Sequence, residues 1–247
     1  LLSAVSYDDI LEPAPGFRVR FRDAGHILGS AILELWVKED GREAKIVFSG
    51  DLGPQETVME RNPAFIEEAD VVVIESTYGN RLHKSNLETR EEFREVMAKA
   101  LRGESKVLIP TFAVDRAQRI LYELTLMQQE GLFSNGLPIF FDSPMGVKAT
   151  EIYKDHMSLM SSEIQEQLRR DVDPYDPVGV KYVESVEDSQ AINQVENAIV
   201  MAGSGMCNGG RIVHHLKHNL WKKHTHVVFV GYQAQGTLGR RLVEGEK

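Results

Sequence analysis

The sequence has a single cysteine, Cys207, among 247 residues. One thiol excludes an internal disulfide framework and any cysteine-rich zinc site, and it fits a reducing, cytoplasmic setting, which is the expected location. No apolar run reaches the roughly 18 residues that a membrane-spanning helix takes. The first residues, LLSAVSYDDILEPAPG, lack a basic stretch leading into a long apolar core, so no signal peptide is read there. They also lack an initiator Met, which suggests a start inside a longer protein. Surplus positive charge is missing too. The net charge of −9 argues against broad non-specific binding to nucleic acid, although a local cleft can be basic on an acidic protein. What is present is ordinary for a soluble globular chain: 42% hydrophobic and 26% charged residues. The length suits one large domain or two modest ones.

Two textures follow one another. From Phe17 to about Ser76 the pattern is strand after strand: FRVRFRDA, SAILELWV, AKIVFSG and DVVVIES. The first two alternate apolar and polar residues, as half-buried antiparallel strands do. KEDGRE carries the Asp-Gly of a hairpin turn. DVVVIES is apolar at successive positions and is predicted to be a fully buried strand. From about Asn80 helices alternate with short strands. The predicted helices are SNLETREEFREVMAKALRG with Ser85 as N-cap, VDRAQRILYELTLMQQEG, PMGVKATEIYKDH with Pro144 in its first turn, SSEIQEQLRRD, VEDSQAINQVEN, RIVHHLKHNLWKKH and GTLGRRLVE. Between them SKVLIPT, LPIFFDS, VKYVES, NAIVMAGSG and THVVFVGY read as strands. The alternation predicts βαβ units and a parallel sheet. The loop Asp171–Gly179, DVDPYDPVG, reads as a flexible excursion.

Three segments at strand ends can carry chemistry. DAGHILGSA places His26 between glycines, SGDLG places Asp51 after the third strand, and ESTYGNR places Glu75 after the fourth. Neighbouring strand ends converge on one edge of a sheet, and imidazole with carboxylate is what a divalent metal such as zinc binds. Taken alone, a histidine in a turn is more often structural, and an aspartate beside glycine is more often a turn former. A catalytic zinc takes three protein ligands and an open position. SPMGVKAT and GSGMCNGGR are strand-to-helix loops with small residues, hydroxyls and a nearby cation. A helix N-terminus of that kind can hold phosphate. Neither loop fits a P-loop, and GSGMCNGG has Asn208 where a dinucleotide fingerprint has its third glycine. Plain turns are as good a reading, and polynucleotide phosphate is the better guess for a ligand. His214 and His218 share a helical face at the spacing of H-E-x-x-H, but His215 stands where the general base would be.

Together and in order, GHILGSA, SGDLG, ESTYGNR, IPTFAVDRAQ, FFDSPM, GSGM and GYQAQGTLGR resemble the β-CASP branch of the metallo-β-lactamase superfamily, over nearly the whole stretch from Gly25 to Arg240. The branch includes RNA 3′-end-processing endonucleases and bacterial and archaeal ribonucleases. The resemblance implies an α/β fold: part of a metallo-β-lactamase αββα sandwich over residues 1–79, then a β-CASP domain over 80–247 with a mainly parallel sheet flanked by helices. It implies His26 as a ligand of one zinc, Asp51 as a carboxylate bridging two zincs, and Glu75 as an acidic residue orienting a catalytic histidine. The β-CASP domain would cover the active-site cleft like a lid, with Ser143, Ser204 and Arg211 facing it and Arg116 a further substrate-binding candidate.

The family's His-x-His-x-Asp-His cluster and its two later histidine motifs have no match in the sequence. Most of the two-zinc site is therefore expected elsewhere, and the stretch alone is expected to be inactive. The implied activity is zinc-dependent phosphodiester hydrolysis of RNA, single-stranded RNA being the expected partner and a homodimer the expected assembly. The alternatives are a non-catalytic RNA- or protein-binding relative, a hydrolase of another ester on the same fold, and a metal-independent nucleotide-binding domain.

Overall fold

The structure, a computed structural model, describes residues 3–55 and 57–246. Its packing falls into two units, one of Leu1–Asn86 with Ser158–Glu166, the other of Leu87–Met157 with Gln167–Lys247.

In the first unit, β1 (Ile10–Ala14), β2 (Phe17–Asp23), β3 (Ala31–Glu39), β4 (Arg42–Phe48) and β5 (Val71–Val73) lie side by side in chain order. β1 to β4 pair antiparallel, and β5 joins β4 in parallel. The turn from β3 to β4 has φ of 49° at Asp40 and 75° at Gly41, the left-handed pair that a two-residue hairpin needs and that Asp-Gly supplies. Strand alternation divides the sheet into two unlike faces. On one, Arg18, Arg20 and Arg22 stand opposite Trp36, Glu34 and Ile32, and Lys45 opposite Trp36. Glu34 is buried there, its carboxylate paired to Arg20 at 2.6 Å and Lys45 at 2.6 Å. Ala24, Ile32 and Val47 form a small core on this side, with Leu52 and Ile66 packed against it. The opposite face carries Val19, Phe21, Leu33, Leu35, Ile46 and Phe48, and none of these is buried.

One expectation fails here. DVVVIES is not a buried strand: β5 is three residues long at the sheet edge, and Val71, Val72, Val73 and Ile74 are 49–65% exposed. Its successive apolar residues suit a strand covered on both faces, and this one has a strand neighbour only in β4.

The second unit holds α1 (Asn86–Ala100, beginning at the unit boundary), β6 (Lys106–Pro110), α2 (Arg116–Gln129), β7 (Ile139–Asp142), α3 (Pro144–Asp155), then α4 (Ser162–Arg169), β8 (Val180–Val183), α5 (Val186–Ala191), β9 (Ala198–Ala202), α6 (Arg211–Asn219), β10 (Thr225–Val227) and α7 (Leu238–Val243). The first residues of α4 belong with the first unit, where Ser161 donates through its backbone N–H to Met59 O at 2.8 Å. The strands form a parallel sheet in the order β10-β6-β9-β7-β8, as the strand–helix alternation predicted. β6, β7 and β9 are buried at every position, so successive residues point into two covered faces. Leu108, Phe140 and Val200 pack with Ile212 and Leu216 of α6. Phe141, next along β7, points the other way, and its ring lies so close to Gly146 of α3 that a Cβ there would meet it at 2.2 Å.

Two further expectations need correction. α6 ends at Asn219, so Leu220–His224 is a turn and not helix. The segment Asp171–Gly179 is packed down: Tyr175 has no exposed surface, Thr125 Oγ1 donates to Pro174 O at 3.1 Å, Gln128 Nε2 donates to Val178 O at 2.8 Å, and the Tyr182 hydroxyl donates to Tyr175 O. A buried tyrosine and these tethers outweigh the Pro/Asp/Gly composition that suggested mobility.

Candidate active site

His26, Asp51 and Glu75 come together at one edge of the first sheet, where β2, β4 and β5 hand over to loops. The glycines make this possible. Gly53 N–H donates to Ala24 O at 2.8 Å, and a Cβ on Gly53 would stand 1.7 Å from Gly25 O. Gly25 itself has φ of 62°, and a Cβ on it would stand 2.5 Å from Arg61 O. The backbones on either side of His26 and Asp51 thus touch. Ser30 Oγ accepts from His26 N–H at 3.1 Å and fixes that turn. Glu75 is tied to the loop after Asp51, since Oε1 accepts from Leu52 N–H at 2.9 Å. The Thr77 hydroxyl and then the Leu52 N–H hold its carboxyl below the ordinary carboxylate range, against a smaller opposing effect of burial; the Thr77 N–H and the nearby His26 add to the lowering. Asp51 is exposed and His26 half-buried.

Imidazole nitrogen and carboxylate oxygen suit a divalent metal in kind. They do not suffice in number: among the described residues no group of three or more His, Cys, Asp or Glu is placed to hold one.

Arg116, Ser143, Ser204 and Arg211 gather at the carboxyl edge of the second sheet. Pro110, Ala202 and Asp142 end their strands in register there, the edge at which parallel α/β sheets bind ligands. The loops interlock. The Phe112 ring lies against Gly205, and Gln233 Nε2 donates to Gly205 O at 2.9 Å. Gly239 N–H donates to Met206 O at 3.1 Å. Of the four residues, only Arg116 is exposed. Ser143 Oγ caps α3 by accepting from Gly146 N–H at 3.1 Å, and the Ser204 hydroxyl donates to Gly209 O at 3.3 Å. Arg211 turns inward: its guanidinium donates to the Asp142 carboxylate and to the carbonyls of Val183 and Glu184.

That inward turn exposes what the sequence reading missed. Asp142 has no exposed surface, and besides Arg211 it accepts from Ser189 Oγ and, at 2.6 Å, from His215 Nε2. Of the histidines on α6, the buried one is His215; His214 and His218 are exposed. Arg211, His215 and Asn219 recur every four residues on the sheet-facing side of α6, a signal that was available in the sequence. The polar chain continues from His215 to Lys106. Lys106 Nζ donates to Asn219 Oδ1 at 3.2 Å, so Asn219 Nδ2 is the end that donates to Asn193 Oδ1 at 3.0 Å. That same oxygen faces His215 Nδ1 at 3.4 Å. Both ring nitrogens of His215 therefore face oxygens, one of Asp142 and one of Asn193. Burial alone would raise the Asp142 carboxyl, but hydrogen bonds from His215, Ser189 and Arg211 outweigh it and hold the group below the ordinary range.

The Beta-Casp domain family matches residues 117–242, just over half of the chain. The chain belongs to the β-CASP family. Asp142, Ser189, Arg211 and His215 lie within the matched segment, as do Gly205 and Gln233 of the interlocked loops. Among curated relatives, the chain is 42% identical over 224 residues to Ribonuclease TTHA0252 of Thermus thermophilus, covering 90% of this chain and 50% of that protein. It is 31% identical over 250 residues to an RNase J-like protein of Methanocaldococcus jannaschii, covering 100% of this chain and 56% of that one. To the transcription termination factor FttA of the same organism it is 32% identical over 249 residues, 98% of this chain and 38% of that protein. The chain thus spans about half the length, or less, of these relatives.

Two outcomes test the geometry. Gly53→Ala drives a methyl group into the Gly25 carbonyl and is expected to cost about 1–3 kcal/mol or more, read as a lower midpoint in urea unfolding. Asp142→Ala leaves Arg211 and His215 facing an empty pocket and is expected to cost about 3–5 kcal/mol, the range for breaking a buried ion pair. The pH dependence has a definite sign. A depressed carboxyl contributes its stability above the unfolded pKa of about 4 and loses it as pH falls, so the acid limb of unfolding should be shallower in Asp142→Asn than in the parent.

Proposed function

We propose that this chain is the part of an RNA-cleaving phosphodiester hydrolase that carries the β-CASP domain and one edge of a metallo-β-lactamase active site, acting in the cytoplasm. The observation that carries the reading is the convergence of His26, Asp51 and Glu75 on interlocked glycine turns, in a chain whose relatives include a ribonuclease and an RNase J-like protein. The first sheet supports the same reading, because its unburied apolar face is the kind that a second sheet covers in a sandwich.

Each residue then has a task. Glu75, kept ionised by Thr77 and Leu52, accepts a hydrogen bond from a histidine and fixes that ring so its other nitrogen can give a proton to the leaving oxygen. His26 and Asp51 are two of the donors for a divalent metal, with zinc the proposed ion, and a working site takes further donors. When bound, such a metal lowers the pKa of water to near neutrality. Arg116, exposed at the start of α2, is the proposed contact for substrate phosphate. Ser143 and Ser204 shape the loops beside it.

Asp51→Ala in the full-length protein should abolish cleavage of single-stranded RNA while leaving the unfolding free energy of the metal-free protein within about 0.5 kcal/mol, the range for an exposed position. Cleavage retained at the parental rate would sink the assignment.

A further inference from the structure

Acidic residues are absent from one long stretch of this acidic protein. Residues 197–243 hold no Asp or Glu, six Lys and Arg, and five of the eight histidines, while the rest of the chain holds all 37 acids against 22 bases. Three of the six cations are engaged internally or locally. Arg211 faces Asp142, Arg240 pairs with Glu244 and Arg241 with Glu246. The other three, Lys217, Lys222 and Lys223, sit in one place at the end of α6 and in the turn that follows. Among the described residues none of them is in an ion pair, so their charges are open to a ligand.

The same place presents an aromatic ring. α6 buries Ile212, His215, Leu216 and Asn219 and leaves His214, Lys217 and His218 outward. The chain then leaves the helix, with Leu220 47% exposed and Trp221 78% exposed. Lys222 Nζ lies 5.9 Å from the centre of the Trp221 ring, so a cation flanks the indole. His224 and His226 continue the exposed strip into β10. The effect of this charge reaches inward. Burial, with Lys222 nearby, lowers the Lys106 ammonium to about 8, and Glu196 opposes the shift.

The strip lies at the amino edge of the second sheet, where Lys106 and Thr225 begin their paired strands. Asp142 and the loops with Arg116 and Ser204 lie at the other edge, a strand length of about 15 Å away. An exposed indole amid unpaired cations is the chemistry of a single-strand platform, in which a base stacks on the ring and phosphates take the charges.

We propose that Trp221, with Lys217, Lys222 and Lys223, forms a second contact surface for single-stranded RNA, separate from the strand-end loops, that holds a distal part of a long substrate. The proposal rests on RNA being the substrate and adds where the chain grips it away from the reacting bond.

Trp221 and Trp36 are the two tryptophans of this chain, so in the full-length protein the emission of Trp221 is the difference between the Trp36→Phe and the Trp36→Phe/Trp221→Phe variants. Titration with a 2′-O-methyl oligouridine of about 12 nucleotides, which resists cleavage, should quench its emission to saturation at low salt. The triple variant K217A/K222A/K223A should bind about tenfold more weakly. Its slope of log affinity against log salt should be smaller by about 2, at roughly 0.7 per phosphate contact. In cleavage assays the triple variant should show a raised KM on long RNA and unchanged turnover of short oligonucleotides. No quenching at low salt, or quenching unaltered in the triple variant, overturns the proposal. So does concentration-dependent self-association without RNA that shields Trp221, which would make the strip a protein interface. Quenching by a protein that cleaves no RNA would uphold the surface and defeat the nuclease reading; cleavage with a parental KM in the triple variant would do the reverse.

Discussion

Asp142 ends a buried strand with none of its surface exposed, and donors from α5 and α6 meet on its two oxygens. A lone carboxylate in that position would be too costly to keep charged, and Arg211 and His215 would lose their acceptor without it. Each group is tolerable only because the others are in place. The consequence is positional: α6 cannot slide along the sheet, and the glycine-rich loop that leads into it cannot move, without unpairing a buried charge. Gly203 O accepts from Ile212 N–H at 2.9 Å, which ties that loop directly to the helix the ion pair holds. The loops at the carboxyl edge are thus anchored from below by charge and from above by Gln233 and Phe112.

The first unit solves its positioning problem differently. There the approach is backbone on backbone, with Gly25 and Gly53 in contact where no Cβ fits. Charge enters at Glu34, buried beneath Arg20 and Lys45 on the polar face of the sheet. Short-range steric exclusion sets the turns that carry His26 and Asp51, and hydrogen bonds to Glu75 lock the third member of the group to the second.

Periodicity revealed much of this in the sequence, because the physics involved is local. Asp40-Gly41 forms the predicted hairpin, Pro144 opens α3 after a Ser143 cap, and the alternation from Lys106 onward folds as a parallel sheet. Misreadings arise where tertiary contacts decide. The composition of Asp171–Gly179 gives no sign of Tyr175 being buried, and an apolar run cannot say whether Val71–Ile74 has neighbours on both sides. The site residues divide the same way. His26, Asp51 and Glu75 stand in motifs, so order and spacing point to them. Asp142 sits in the apolar run LPIFFDS, and its partners are 47, 69 and 73 residues away. The exposed Arg116 and the inward Arg211 look equivalent in sequence; only packing tells them apart.

The bare edge at β5 has a further meaning. Three valines in extended conformation, with β4 on one side and 49–58% of their surface exposed, form a template that any free strand can extend. Handled as this stretch by itself, the first unit should be prone to edge-to-edge association and hard to keep dispersed. The second unit has its three central strands, β6, β7 and β9, buried at every position and is the better candidate for isolation as a soluble domain.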